Sequence, residues 1–132
     1  MQRMLAVGWF PQAEWELAVS RWPELAAEMP RDHDAYLLAV QRRVKEINST
    51  MTGVRLVMVA LSVAEIDVAA VAEGMDAGSA ELRGRVATTA ALRGVGCVWP
   101  PARNDRCWCG SAAKYKYCCN AAHNPTAGAV EL

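Results

Sequence analysis

The chain has 132 residues, an apolar share of 53% with a single Phe, and equal numbers of acidic and basic side chains. Such a length suits one domain with a small appendage, and a core rich in Ala and Val is thin enough to gain from a staple. Zero net charge excludes a strongly basic nucleic-acid binder, but the balance is uneven. Residues 1–102 carry ten Lys/Arg against twelve Asp/Glu, whereas residues 103–119 carry four against one.

In chain order, "MQRMLAVGWFPQAEWE" holds too short an apolar stretch for a secretory signal. Pro11 stands where a first helical position belongs, and Trp15, Ala18, Val19 and Trp22 share a face of a helix over 13–22. Pro23 stops it and opens a short turn, "PELAAEM". Asp32 is the expected N-cap of the next helix, in which Tyr36, Val40, Val44 and Ile47 recur at helical spacing. His33, between Asp32 and Asp34, could resemble an acid–base group, but capping explains the aspartates. The near-continuous apolar run over 54–61 predicts a buried strand. Ser62 and Glu65 stand in capping-box relation and open a helix that closes near Gly74; a further helix spans about 78–93. "GVGCVWPPA" then reads as a stiff linker. Trp9, Trp15 and Trp22 read as core bulk rather than a ligand pocket. The expected class is α+β and mostly helical: a helix-rich domain over 1–96 with one or two short strands, a linker over 97–102, a zinc knuckle over 103–122 and a flexible tail over 123–132.

The last segment carries the chemistry. "NDRCWCGSAAKYKYCCN" places Cys107, Cys109, Cys118 and Cys119 within thirteen positions. The longest apolar run, "VMVALSVA", is far below the ~20 residues of a membrane span. A cytoplasmic location is therefore expected, where clustered thiols read as metal ligands before disulfides. Two local pairs joined by a short turn suit a tetrahedral Zn²⁺ with four thiolates. Gly110-Ser111 permits a tight turn after the first pair, and "AAKYKY" favours a short helix returning the second. A redox relay or an iron–sulfur cluster would show other spacings. Cys97 reads as a small hydrophobe, and His123 as a competing fourth ligand.

"RNDRCWCGSAAKYKYCC" resembles the SEC-C motif, known from the C-terminal tail of the preprotein translocase ATPase SecA. The family pattern is Arg-Asn-Asp-Pro, Cys-x-Cys-Gly-Ser-Gly, Lys-Lys-Tyr-Lys, then Cys followed by Cys or His. Arg103, Asn104, Asp105, Cys107, Cys109, Gly110, Ser111, Lys114, Tyr115, Lys116, Cys118 and Cys119 match it. Arg106, Ala112 and Ala113 replace the usual Pro, Gly and basic residue. Ala112 strains a turn if the motif needs positive φ there. The helical region resembles that found ahead of such endings in actinobacterial SEC-C proteins, some of them longer. The resemblance implies a metal site at Cys107, Cys109, Cys118 and Cys119, with His123 solvent-exposed or in an outer shell. It also implies a protein or ribosomal partner, a SecB-like chaperone among the candidates.

Arg103, Arg106, Trp108, Lys114, Tyr115 and Lys116, with Tyr117, form the expected partner face. Trp108 has a second reading, as an anchor packing the knuckle onto the helices together with Trp99. RNA binding is an alternative, since basic groups interleaved with aromatics suit phosphate and base contact. An enzyme with purely structural zinc is the competing class, but no Ser/His/Asp set, phosphate loop or His-rich metal site accompanies the two histidines. The chain reads as non-enzymatic.

Overall fold

A computed structural model describes residues 3–122. The order is β1 (Arg3–Trp9), α1 (Gln12–Arg21), α2 (Glu24–Glu28), α3 (His33–Thr50), β2 (Val54–Ala60), α4 (Val63–Glu73), α5 (Ala80–Leu92) and β3 (Cys97–Trp99). A 3₁₀ turn at Tyr115–Tyr117 and a short α6 (Cys119–Ala122) follow. The mixed, mostly helical class stands. No helix among the described residues is long and apolar enough to cross a membrane.

The start signals act where the side chains predict. Asp32 accepts from the Ala35 N–H at 3.0 Å, and Ser62 from the Glu65 N–H at 3.1 Å. Each satisfies one of the amides that a helix start leaves without a partner. Gly74 ends α4 with φ 64°. Glu14 of α1 adds a long-range cap, its Oε1 accepting from the Val63 N–H at 2.8 Å.

The sheet has three strands in the order β1-β2-β3, two more than the apolar run over 54–61 alone supplies. β1 pairs parallel with β2 from Arg3↔Val54 to Trp9↔Ala60. The connection between them, α1 to α3, is the long crossover that parallel pairing demands. Leu56, Val57, Met58 and Val59 are all buried, so both faces of β2 are covered, with α3 and α5 among the helices packed on it. Continuous burial is why this strand shows no alternation.

Residues 97–102 are not simply a linker. Cys97–Trp99 is β3, antiparallel to β2 through Leu56↔Trp99, Val57↔Val98 and Met58↔Cys97. Gly96 makes the approach: its φ is +118°, and a Cβ there would lie 2.7 Å from the Met58 carbonyl oxygen. The expected tail over 123–132 lies outside the described residues.

The core gathers Trp9, Phe10, Trp15 and Trp22 with residues of β2, α3 and α5, and continues without a break into Trp108 and Tyr115. Trp15 stacks on Tyr36 at 4.0 Å between centroids, and its Nε1 donates to the Arg31 carbonyl at 2.7 Å. The Tyr36 hydroxyl accepts from the Phe10 N–H at 2.9 Å, and burial pushes its pKa up to about 12. The tryptophans are core bulk, as expected. His33 Nε2 lies 2.8 Å from the Phe10 carbonyl oxygen, a hydrogen bond that ties α3 to the end of β1.

Candidate metal centre

Leaving β3, the chain turns back on itself so that residue 106 lies beside residue 114. Arg106 and Lys114 form an isolated antiparallel bridge. The Cys107 N–H donates to Ala113 at 2.8 Å, and the Tyr115 N–H to Asp105 at 2.8 Å. Gly110 takes φ 79° at the tip. The 3₁₀ turn at Tyr115–Tyr117 then replaces the short helix expected from "AAKYKY", and α6 begins at Cys119. This path folds residues 107 and 109 against 118 and 119.

Among the described residues, the four Sγ atoms of Cys107, Cys109, Cys118 and Cys119 all lie within 4.8 Å of one another. A tetrahedron with metal–sulfur bonds of about 2.3 Å has edges of about 3.8 Å. The Cys109–Cys118 separation is 3.6 Å. No disulfide forms; all five cysteines are free. Cys107 and Cys119 are buried, whereas Cys109 and Cys118 are half-buried at the rim. The Ser111 hydroxyl stands 3.2 Å from Cys118 Sγ and accepts from the Ala113 N–H at 3.3 Å.

Electrostatics inside the cluster fits a cation. The Cys107 thiol, with Cys119 and Ser111, holds Cys109 far below the usual thiol range. The same sharing pushes Cys107 up to about 11, chiefly through Cys109, and Cys119 far up, chiefly through Cys107. Crowded sulfurs share protons because they cannot all carry charge side by side, and a divalent ion relieves that conflict. Soft donors in this number suit a soft or borderline transition metal rather than Mg²⁺ or Ca²⁺.

Ala112 is the only non-glycine with positive φ among the described residues, at 69°. A side chain there costs on the order of 1 kcal/mol relative to Gly. Ala112→Gly is therefore expected to stabilise the protein by about 1 kcal/mol, read as an upward shift of the urea midpoint. An unchanged or lower midpoint would argue against strain at this position.

One functional residue escapes the sequence reading. Gln41 of α3 is fully buried, and its side chain joins three aromatic partners. Its Oε1 accepts from Trp99 Nε1 at 3.1 Å and from Trp108 Nε1 at 2.8 Å. Its Nε2 donates to the Tyr115 hydroxyl at 2.6 Å. One amide thus bolts the knuckle to α3 and β3. The available signal is its spacing: Gln41 stands three positions before Val44 on the apolar side of α3. Trp108 also meets Trp9 edge-on, at 5.2 Å between centroids and 82° between planes.

Two of the expected partner contacts are corrected by this packing. Trp108 and Tyr115 are each only 4% exposed, so they face the core and cannot present a surface to a partner. Arg103, Arg106 and Lys114 are exposed, and Lys116 is half-buried. Lys116 Nζ lies 5.0 Å from the centre of the exposed Tyr117 ring. Cys97 stays outside the thiol cluster, half-buried, its pKa raised chiefly by burial. His123 lies outside the described residues.

The local fold is that of a small four-thiol knuckle docked on a mixed α/β body. Residues 103–121 match the family model of the SEC-C motif, so the chain carries that motif. No curated protein and no solved structure matches the chain.

Proposed function

We propose that this is a zinc-binding, noncatalytic interaction protein whose SEC-C motif contacts a protein or ribosomal surface. The observation that carries the reading is the convergence of four thiols within 4.8 Å inside a segment matching that motif. Zn²⁺ is the favoured ion because structural zinc takes four tetrahedral ligands from cysteine and histidine. Four protein thiolates leave no coordination position for a water or substrate, which favours a structural role for the ion over Lewis-acid chemistry.

The recognition surface is narrower than residue types alone suggest. Arg103, Arg106 and Lys114, flanked by Lys116 and Tyr117, supply cationic groups on the outside of the knuckle. With Trp108 and Tyr115 turned inward, only Tyr117 offers an exposed ring there, which weakens the case for base stacking on RNA and favours an acidic protein surface. The reading places the protein in the cytoplasm, where these thiols stay reduced.

Elemental analysis of protein purified without added metal is expected to give one zinc per chain. Pull-down with Cys118→Ser is expected to lose the partners that the wild type retains. Retention of the same partners by that variant would remove the link between the metal site and recognition.

A further inference from the structure

We propose that α4 and α5 form the interface of a two-fold homodimer, in which α4 of each copy lies antiparallel over α5 of the other. The first observation is the composition of α4. In "VAEIDVAAVAE" only Glu65, Asp67 and Glu73 are polar, so the helix is apolar on nearly every side. Such helices are normally buried all round. Here the core buries Val63 and Ile66 and partly covers Ala69 and Ala70, leaving Val68 71% and Val71 86% exposed. Val68 shares one groove with Val95 just beyond α5, itself 54% exposed. Exposed apolar residues gathered along one groove mark an interaction site.

The second observation is a groove of about 760 Å³ between the two helices. Its apolar lining includes Ala69, Ala72, Val86 and Ala90, small enough to let another helix approach closely. Its charged residues are sorted by helix: Glu65 and Glu73 on α4, Arg85 on α5 and Arg93 capping the end of α5. The helices run antiparallel, joined by residues 74–79, so Glu73 pairs with Arg85 at 2.9 Å at one end of the groove. Glu65 and Arg93 stand at the other end, and neither makes an ion pair among the described residues.

This sorting decides the occupant. An acidic wall beside a basic wall is self-complementary under a two-fold axis parallel to the helices. That operation sets α4 of the second copy over α5 of the first, Glu65 opposite Arg93 and Glu73 opposite Arg85, and repeats both contacts by symmetry. A two-fold perpendicular to the helices would stack α4 on α4, bringing Glu65 of one copy towards Glu73 of the other, and is disfavoured. The groove uses no residue of 103–119, so the dimer leaves both knuckles free and presents two at once.

Charge reversal on the metal-loaded full chain tests this, because both side chains are solvent-facing and the fold can be checked by circular dichroism. Sedimentation equilibrium is expected to show a wild-type dimer. Glu65→Arg alone and Arg93→Glu alone are each expected to weaken it at least about tenfold, since each creates two like-charge contacts. Mixing the two variants is expected to restore association, because both contacts between positions 65 and 93 then join opposite charges again. A wild-type monomer up to about 200 µM would overturn the proposal and leave the groove to a foreign helix. A dimer indifferent to the reversals, or variants that stay apart on mixing, would overturn it equally.

Discussion

Stripping the metal, or replacing Cys119 with Ser, is expected to unfold residues 103–122 while leaving most of the α/β body standing. Apart from the anchoring of Trp108 and Tyr115 on Gln41 and Trp9, the knuckle has little to hold its path: its regular structure is one 3₁₀ turn and the four-residue α6. Among its described side chains the buried ones are Cys107, Trp108, Tyr115 and Cys119, two of which are ligands of the proposed site. Metal binding at comparable four-ligand sites contributes on the order of 10 kcal/mol of folding free energy, far more than these contacts can replace. A thiol-reactive dye gives the readout. Metal-loaded native protein is expected to show one reacting thiol, the half-buried Cys97, and chelated protein five. Trp108 leaves its contact with Trp9 in the same step, so tryptophan emission is expected to shift to the red. Five reacting thiols before chelation would remove the metal clamp from the account.

Gln41→Leu is the second large effect, about 4 kcal/mol of destabilisation with the metal still bound. Leucine approximates the volume and carries no acceptor. The indole N–H groups of Trp99 and Trp108 then stay buried without a partner, and the Tyr115 hydroxyl loses a donor. Each unsatisfied buried group costs about 1–3 kcal/mol, which is large against a total stability of about 5–15 kcal/mol for a domain of this kind. Trp108→Phe removes a donor instead of the shared acceptor and is expected to cost less through this network. The double variant distinguishes the two cases, because once Gln41 is gone the Trp108 N–H has nothing left to lose. Urea unfolding followed by circular dichroism measures both. A loss below about 1 kcal/mol for Gln41→Leu would show that water or a rearranged side chain supplies the missing bonds.

These effects also mark how far one-dimensional reading reaches. Local devices were legible because their partners sit within a few residues: Asp32 and Ser62 at helix starts, Gly74 at a helix end, the two thiol pairs. Even the cost at Ala112 follows from a missing glycine and is met by a φ of 69°. β1 and β3 were not legible as strands. β1 pairs with a segment about fifty positions away, and nothing in "MLAVGW" alone distinguishes a parallel edge strand from a short apolar lead-in. β3 has three residues, and Pro100-Pro101 beside it suggested a free extended chain. Gln41 was hidden for a related reason: its partners lie 58, 67 and 74 positions downstream, so nothing within its own helix shows what the amide meets. Trp108 and Tyr115 were ambiguous because an aromatic in a basic segment serves equally as bait or as anchor. Only the three-dimensional neighbours decide that.

The edge-on seat of Trp108 against Trp9 has an evolutionary corollary. A segment of some twenty residues can be copied from one gene to another with its four sulfurs intact, but the shelf that Trp9 provides and the amide at position 41 do not travel with it. Grafting residues 103–122 alone onto another chain would therefore carry the four sulfurs but leave Trp108 without the Trp9 ring and the Gln41 amide that receive it here.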